Sequence, residues 1–216
     1  MVNFFSAAVQ SMTSSELSAL LVLATVSSFT PGPNTTLSTA MAANHGLRHA
    51  MRFVLAVPVG WGILFILCAT GLGGLVVAFP PLRWGIVVLG NAYLLWLASR
   101  LWRSGSLQQA DSSKLQVGFV QGVGLQFLNI KAWMLALAIV AGWIAGRDDG
   151  AERTLLLLPI MVAYGFVSNL VYAVAGSMLR HWLARGRRLL MFNRCMSVAL
   201  LATVLWILNG LRQSAA

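Results

Sequence analysis

Long uncharged runs dominate the chain, and short polar gaps interrupt them at intervals. The runs cover residues 17–43, 53–82, 84–99, 115–146, 154–179 and 195–211, and Lys131 alone breaks the fourth. A bilayer core takes roughly 20 residues of apolar α-helix, so each run reads as one spanning segment. The pattern predicts an all-α integral membrane protein with six transmembrane helices. The third and sixth runs are short, and Arg83, Arg100, Arg194 and Arg212 stand at their edges, where long side chains can carry charge to the headgroups.

Six spans divide into three and three, and an odd number per half inverts the second half in the membrane. The expected architecture is therefore a 3+3 inverted repeat within a single domain, 1–216, with repeats over about 16–103 and about 115–212. Leu95-Trp96-Leu97 in the third run echoes Leu205-Trp206-Ile207 in the sixth. The first helix of each half carries a polar irregularity and is expected to be broken or kinked.

The first irregularity is Thr30-Pro31-Gly32-Pro33-Asn34. Two prolines remove two backbone donors and clash with preceding carbonyls, so a straight helix through this point is disfavoured. Broken backbone at membrane depth is tolerated where protein buries it or a polar cavity wets it. The half-helix beyond Pro33 then offers free N–H groups to an anion such as a substrate carboxylate. The alternative is a simple kink whose freed carbonyls are satisfied by Thr30 or Asn34.

The second irregularity is Gln126-Phe127-Leu128-Asn129-Ile130-Lys131. A lysine at mid-membrane costs at least about 2.5–3.5 kcal/mol on the most lenient scale, so Lys131 needs compensation. A carbonyl of the broken first helix, Asn129 or a bound anion could supply it; otherwise Lys131 ends a half-helix and snorkels to an interface. Asn91, Tyr93, Ser168 and Tyr172 read as interhelical glue, whereas Tyr164 and Asn169 are added to the candidate site. Gly60, Gly62, Gly71, Gly73 and Gly74 read as close-packing positions.

Composition sharpens this picture. Apolar residues make up 58% of the chain and charged residues 9%, against about 45–50% and about 25% in soluble domains, which excludes a water-soluble globule. A net charge of +10 would suit nucleic acid if it formed one surface. Instead, ten of the fifteen Lys and Arg residues fall in the first, third and fifth gaps, among them Arg48, Lys114 and Arg180. That bias marks membrane orientation, excludes a nucleic-acid partner and predicts both termini outside the cytoplasm. No Lys or Arg precedes Glu16, so the first run is expected to be retained as a span.

Cys68 and Cys195 lack metal-ligand spacing and are expected to be packing thiols, and neither a metal nor another cofactor is expected. Neither lysine follows a glycine, so the chain has no phosphate loop for ATP hydrolysis. The acidic group Asp148, Asp149 and Glu152 leaves open a metal-dependent membrane enzyme, although flanking Arg147 and Arg153 favour a charge-balanced loop. A packing subunit of a larger complex is the other alternative.

The Thr30-Pro31-Gly32-Pro33-Asn34 element, followed by His45-Gly46, resembles the hallmark of the LysE/RhtB family of bacterial amino-acid exporters. Ala92-Tyr93-Leu94-Leu95-Trp96-Leu97 is similar to the family's third helix, and the segment ending Asn129-Ile130-Lys131 to its second element, nearest the cysteine/O-acetylserine branch. The resemblance implies a secondary active exporter of small neutral amino acids or derivatives. It would be proton-coupled, sit in the bacterial inner membrane, and leave a homo-oligomer open. Most relatives read Asn-Pro-Lys where this chain has Asn129-Ile130-Lys131, and many carry an acid after a glycine near Gly60-Trp61-Gly62. Without that carboxylate the chain is poorly suited to cationic substrates. The substrate-binding candidates are Pro31, Gly32, Pro33, Asn34, Gln126, Asn129, Lys131, Tyr164 and Asn169.

Overall fold

A computed structural model describes residues 12–104, 117–185 and 187–213. Lys114 and the start of the second expected repeat lie outside the described residues. Within them the chain forms helices joined by short turns, with no strand.

Helix α1 (Ser14–Phe29) begins with a capping box: Glu16 N–H donates to the Thr13 hydroxyl at 3.2 Å, and Thr13 N–H donates to the Glu16 carboxylate at 2.9 Å. It stops at Thr30, whose backbone is extended, and α2 (Pro33–His45) restarts with proline in its first turn. Gly46, at φ 86°, turns the chain into α3 (Leu47–Ala69). Gly71, at φ 91°, separates α3 from the short α4 (Leu72–Ala78), so the run 53–82 is not one helix. Then follow α5 (Pro80–Arg103), α6 (Phe119–Leu128) and α7 (Ile130–Ile139), which ends in a π-helical turn, Val140–Ile144. Last come α8 (Gly150–Leu183) and α9 (Arg188–Gln213).

Four of these helices are long and apolar enough to cross a bilayer: α3, α5, α8 and the Arg188–Asn209 part of α9. Phe119–Leu128 and Ile130–Ile144 make a fifth candidate span if taken together, bent by 68°. At 16 residues, α1 does not span alone. The helices of the third and sixth runs are not short: α5 has 24 residues and α9 has 26, because both continue past the apolar stretch into arginine-bearing turns. Arg100 and Arg194 lie over the rings of Trp96 and Trp102, which shelter the cations while leaving them near water.

Contacts sort the gaps between two ends of the molecule. At one end, Glu16 pairs with Arg147 at 2.7 Å and with Arg153 at 3.3 Å, while Arg153 also holds Asp149 at 2.8 Å. Trp143 Nε1 donates to the Glu16 carbonyl at 3.1 Å, so this tryptophan ties two helices together. The Thr13 N–H, then the Thr13 hydroxyl and the Arg153 and Arg147 guanidinium groups, hold the Glu16 carboxyl below its usual range. At the other end, Arg180 lies against Gly46, and Arg194 against Trp102. The first, third and fifth gaps therefore share one end.

Two apolar clusters fill the interior. One joins Leu20, Trp61, Phe65, Ile139, Leu157 and Met161 towards the Glu16 end; the other joins Leu37, Phe53, Val57, Leu97, Ala173 and Leu200 towards the Arg180 end. A polar layer lies between them, because α8 carries Ser168 and Asn169 between Met161 and Ala173, and both helix breaks fall at the same level. Small residues bring the backbones together there. A Cβ on Gly60 would lie 2.7 Å from Val123 O, and one on Gly176 2.3 Å from Thr39 O. Gly73 is also tightly packed, whereas Gly71 and Gly74 meet nothing within 4 Å and are not packing positions. Cys68 is buried as expected, but Cys195 is exposed on α9.

Candidate functional site

Both helix breaks present complementary ends to one another. Beyond the first break, Thr36 N–H reaches Gly32 O at 2.9 Å, and Gly32 N–H donates to the Thr35 hydroxyl at 2.9 Å. Pro33 has no N–H, which leaves the Asn34 and Thr35 amides as the open donors of the first turn of α2. At the second break, Asn129 is extended and its Oδ1 accepts the Lys131 N–H at 3.1 Å, capping α7.

Lys131 then reaches across: its Nζ donates to Thr30 O at 3.1 Å, a carbonyl that the first break freed. Of the partners expected for this lysine, a carbonyl of the broken first helix is the one its ammonium contacts. A Cβ on Gly32 would lie 3.3 Å from Nζ, so the ammonium rests directly over the glycine of the first break. One carbonyl leaves the other N–H bonds of the ammonium available. A cavity of about 80 Å³ opens beside it, with Gly32, Asn34, Trp61, Asn129, Ser168 and Asn169 in its wall. On the other side of Lys131 an open groove of about 410 Å³ runs to Thr203 and Trp206 of α9.

The polar side chains of the wall are held in place. Asn34 and Gln126 exchange two hydrogen bonds, at 2.9 and 3.3 Å, and the fully buried Gln126 also donates to Gly122 O at 3.1 Å. Ser38 donates to Asn169 Oδ1 at 2.9 Å, while Asn169 Nδ2 donates to Gly165 O at 2.8 Å. These bonds fix where each amide points before any ligand arrives.

Six of the nine candidate residues, Gly32, Pro33, Asn34, Asn129, Lys131 and Asn169, stand in the cavity wall. Gln126 acts behind it through Asn34. Pro31 faces the open groove instead. Tyr164 is not in the wall: it packs against the core, with its hydroxyl 3.3 Å from that of Thr25, and so links α1 to α8. Tyr172 is glue as expected, donating to Phe29 O at 2.8 Å. Sequence reasoning missed Trp61, which is 7% exposed, lines the cavity, and has no partner for its Nε1–H. Its place beside Pro58, within the glycine-containing run, was the available signal. The acidic gap residues do not assemble as a metal site: Asp149 is paired with Arg153, and the described residues contain no group of three or more His, Cys, Asp or Glu able to hold a metal.

The fold defines a multi-pass membrane protein in which a cavity opens between two facing helix breaks. Residues 25–208 match the LysE type translocator family, and the chain belongs to it. It is 30% identical over 179 residues to a cysteine/O-acetylserine efflux protein of Klebsiella pneumoniae, covering 82% of this chain and 91% of the relative. Proteins of the same description from Salmonella choleraesuis and Escherichia coli O1:K1 are 28% and 26% identical, each over 78% of this chain and 86% of the relative. No solved structure matches.

Proposed function

We propose that this protein is a secondary active exporter of small neutral amino acids or close derivatives, of the cysteine and O-acetylserine kind. The observation that carries the reading is the Lys131 ammonium, poised at the start of α2 with only one carbonyl partner. The open amides of α2, in the same wall, add donors, a set suited to a carboxylate. No acidic side chain stands in the cavity wall, which agrees with a neutral rather than a cationic substrate. The relatives' shared description points to the same substrate class.

In this reading α1 with α2, and α6 with α7, each make one broken span, giving six spans in a 3+3 inverted repeat across the bacterial inner membrane. The arginine-rich end faces the cytoplasm and both termini face outward. Export is coupled to the proton gradient. The site alternates in access as one repeat rocks against the other across the glycine contacts of Gly60 and Gly176.

The test is efflux from cells and counterflow in sealed vesicles. Lys131→Ala and Asn34→Ala variants that insert normally are expected to lose export by about thirtyfold or more, the ratio for about 2 kcal/mol of a desolvated polar contact. Export equal to the parent in both variants overturns the site.

A further inference from the structure

A second, smaller void lies on the far side of Asn34 and Asn129 from Trp61. It measures about 20 Å³ and is bounded by Asn34, Leu37, Asn91, Tyr93, Leu128 and Asn129, among others. Asn91 of α5 faces it at 8% exposure, and neither its Nδ2 nor its Oδ1 has a hydrogen-bond partner. A buried amide left bare on both atoms forfeits its hydration without replacement, and a helix made only to pack here would carry leucine. Gly90, the preceding residue, sits so close to Leu128 O that a Cβ would approach it to 2.0 Å, which brings Asn91 up to the second helix break.

The missing partner has defined chemistry. Oδ1 needs a donor and Nδ2 an acceptor. A cation would satisfy only the first and an anion only the second; an O–H group satisfies both. The void has room for one such group but not for a whole amino acid. It shares Pro33, Asn34 and Asn129 with the larger cavity, where the exporter reading places the carboxylate.

We propose that Asn91 is a specificity-determining residue and that its void is the subsite for the hydroxyl of a substrate side chain, so that hydroxy amino acids are preferred over apolar isosteres. The inference rests on the exporter reading and names the substrate feature which that reading leaves open. An ester such as O-acetylserine supplies acceptors but no donor, and ranks below serine at this subsite.

Binding is measured on the purified full-length protein in detergent, from ligand-dependent thermal unfolding with L-serine and with L-2-aminobutyrate, in which a methyl replaces the hydroxyl. The parent is expected to bind serine about tenfold more tightly. Asn91→Leu should bring the two ligands within about twofold while keeping 2-aminobutyrate affinity and an unliganded melting temperature no lower than the parent's; Asn91→Ala provides the same reading if leucine does not fit. Equal binding of both ligands by the parent means that water alone fills the void, and overturns the proposal. So does a variant that keeps the preference, or one that loses both ligands equally. Serine binding without export in vesicles would overturn the exporter reading and leave the subsite standing, whereas export without discrimination would do the reverse.

Discussion

The two helix breaks reach a similar end by different chemistry. At the first, Pro31 and Pro33 remove donors on either side of Gly32, and the helix cannot continue. At the second there is no proline, and Ile130 is an ordinary helix former for a membrane segment, yet the axis turns by 68°. There the stop is held by side chains. Asn129 caps α7, Trp133 Nε1 takes the Phe127 carbonyl at 2.9 Å, and Lys131 is drawn towards the opposite break. The contrast shows that a helix can end at membrane depth without a breaker, provided that side chains meet the backbone groups it frees.

Substitutions at the two breaks can sharpen or dissolve that contrast. The largest effect is expected at Gly90→Ala. The added Cβ would collide with Leu128 O, a backbone atom that cannot rotate away, so α5 must move from the second break. A loss of about 1–3 kcal/mol is expected, read as a lower midpoint in thermal unfolding. An unchanged midpoint would show that α5 does not support the break.

A smaller loss is expected from Asn129→Ala. Removing the cap of α7 should cost about 1 kcal/mol, with transport falling further than stability because Lys131 loses its anchor. If the second break instead follows from helix packing alone, unfolding will not change. Pro33→Ala should cost less than about 1 kcal/mol, since alanine occupies the first helical turn readily and Pro31 with Gly32 still ends α1. A loss as large as that of Asn129→Ala would make the two breaks chemically alike.

The smallest effect lies away from both breaks, at the Glu16 end. Because the Glu16 carboxyl titrates below its ordinary range in the folded protein, its contribution is fully present above the unfolded value of about 4.3 and fades as pH falls through the lower folded value. Unfolding midpoints of the parent and Glu16→Gln should therefore differ near neutral pH and converge in acid, as pH falls through the lowered folded value. A constant difference across that range would mean that the charge on Glu16 adds nothing through Thr13, Arg153 or Arg147.

Much of the architecture was legible because the chemistry that makes it is local. Continuous apolar runs announced helices in a membrane, and prolines beside glycine announced the first break. Lys131 drew attention to the second because no mid-membrane cation stands without a partner. What the pattern hid depends on contacts across the fold. The run 53–82 ends early because Gly71 takes a left-handed turn, which hydropathy cannot register. The third and sixth helices outrun their apolar stretches because arginines at their ends rest on tryptophan rings.

The same division holds within the site. Asn34 and Asn129 flank backbone irregularities and could be picked out along the chain. Trp61 and Asn91 sit inside regular helices, and a buried indole or amide with a partner looks identical in sequence to one without. Tyr164 misled for the converse reason: a polar ring in an apolar run resembled a ligand, and its hydroxyl instead lies against Thr25.

If an ammonium at position 131, held at the mouth of α2, receives the substrate as proposed, chemical rebuilding of that group should govern export. In a Cys68→Ser, Cys195→Ser background that retains export, Lys131→Cys is expected to abolish counterflow, and treatment with 2-bromoethylamine, which places an aminoethyl group on the thiol and restores an ammonium at lysine length, should recover it. A neutral alkylating reagent of similar size should not. Full export by the unmodified Lys131→Cys protein, or no recovery after complete aminoethylation, would mean that the ammonium does not hold the substrate.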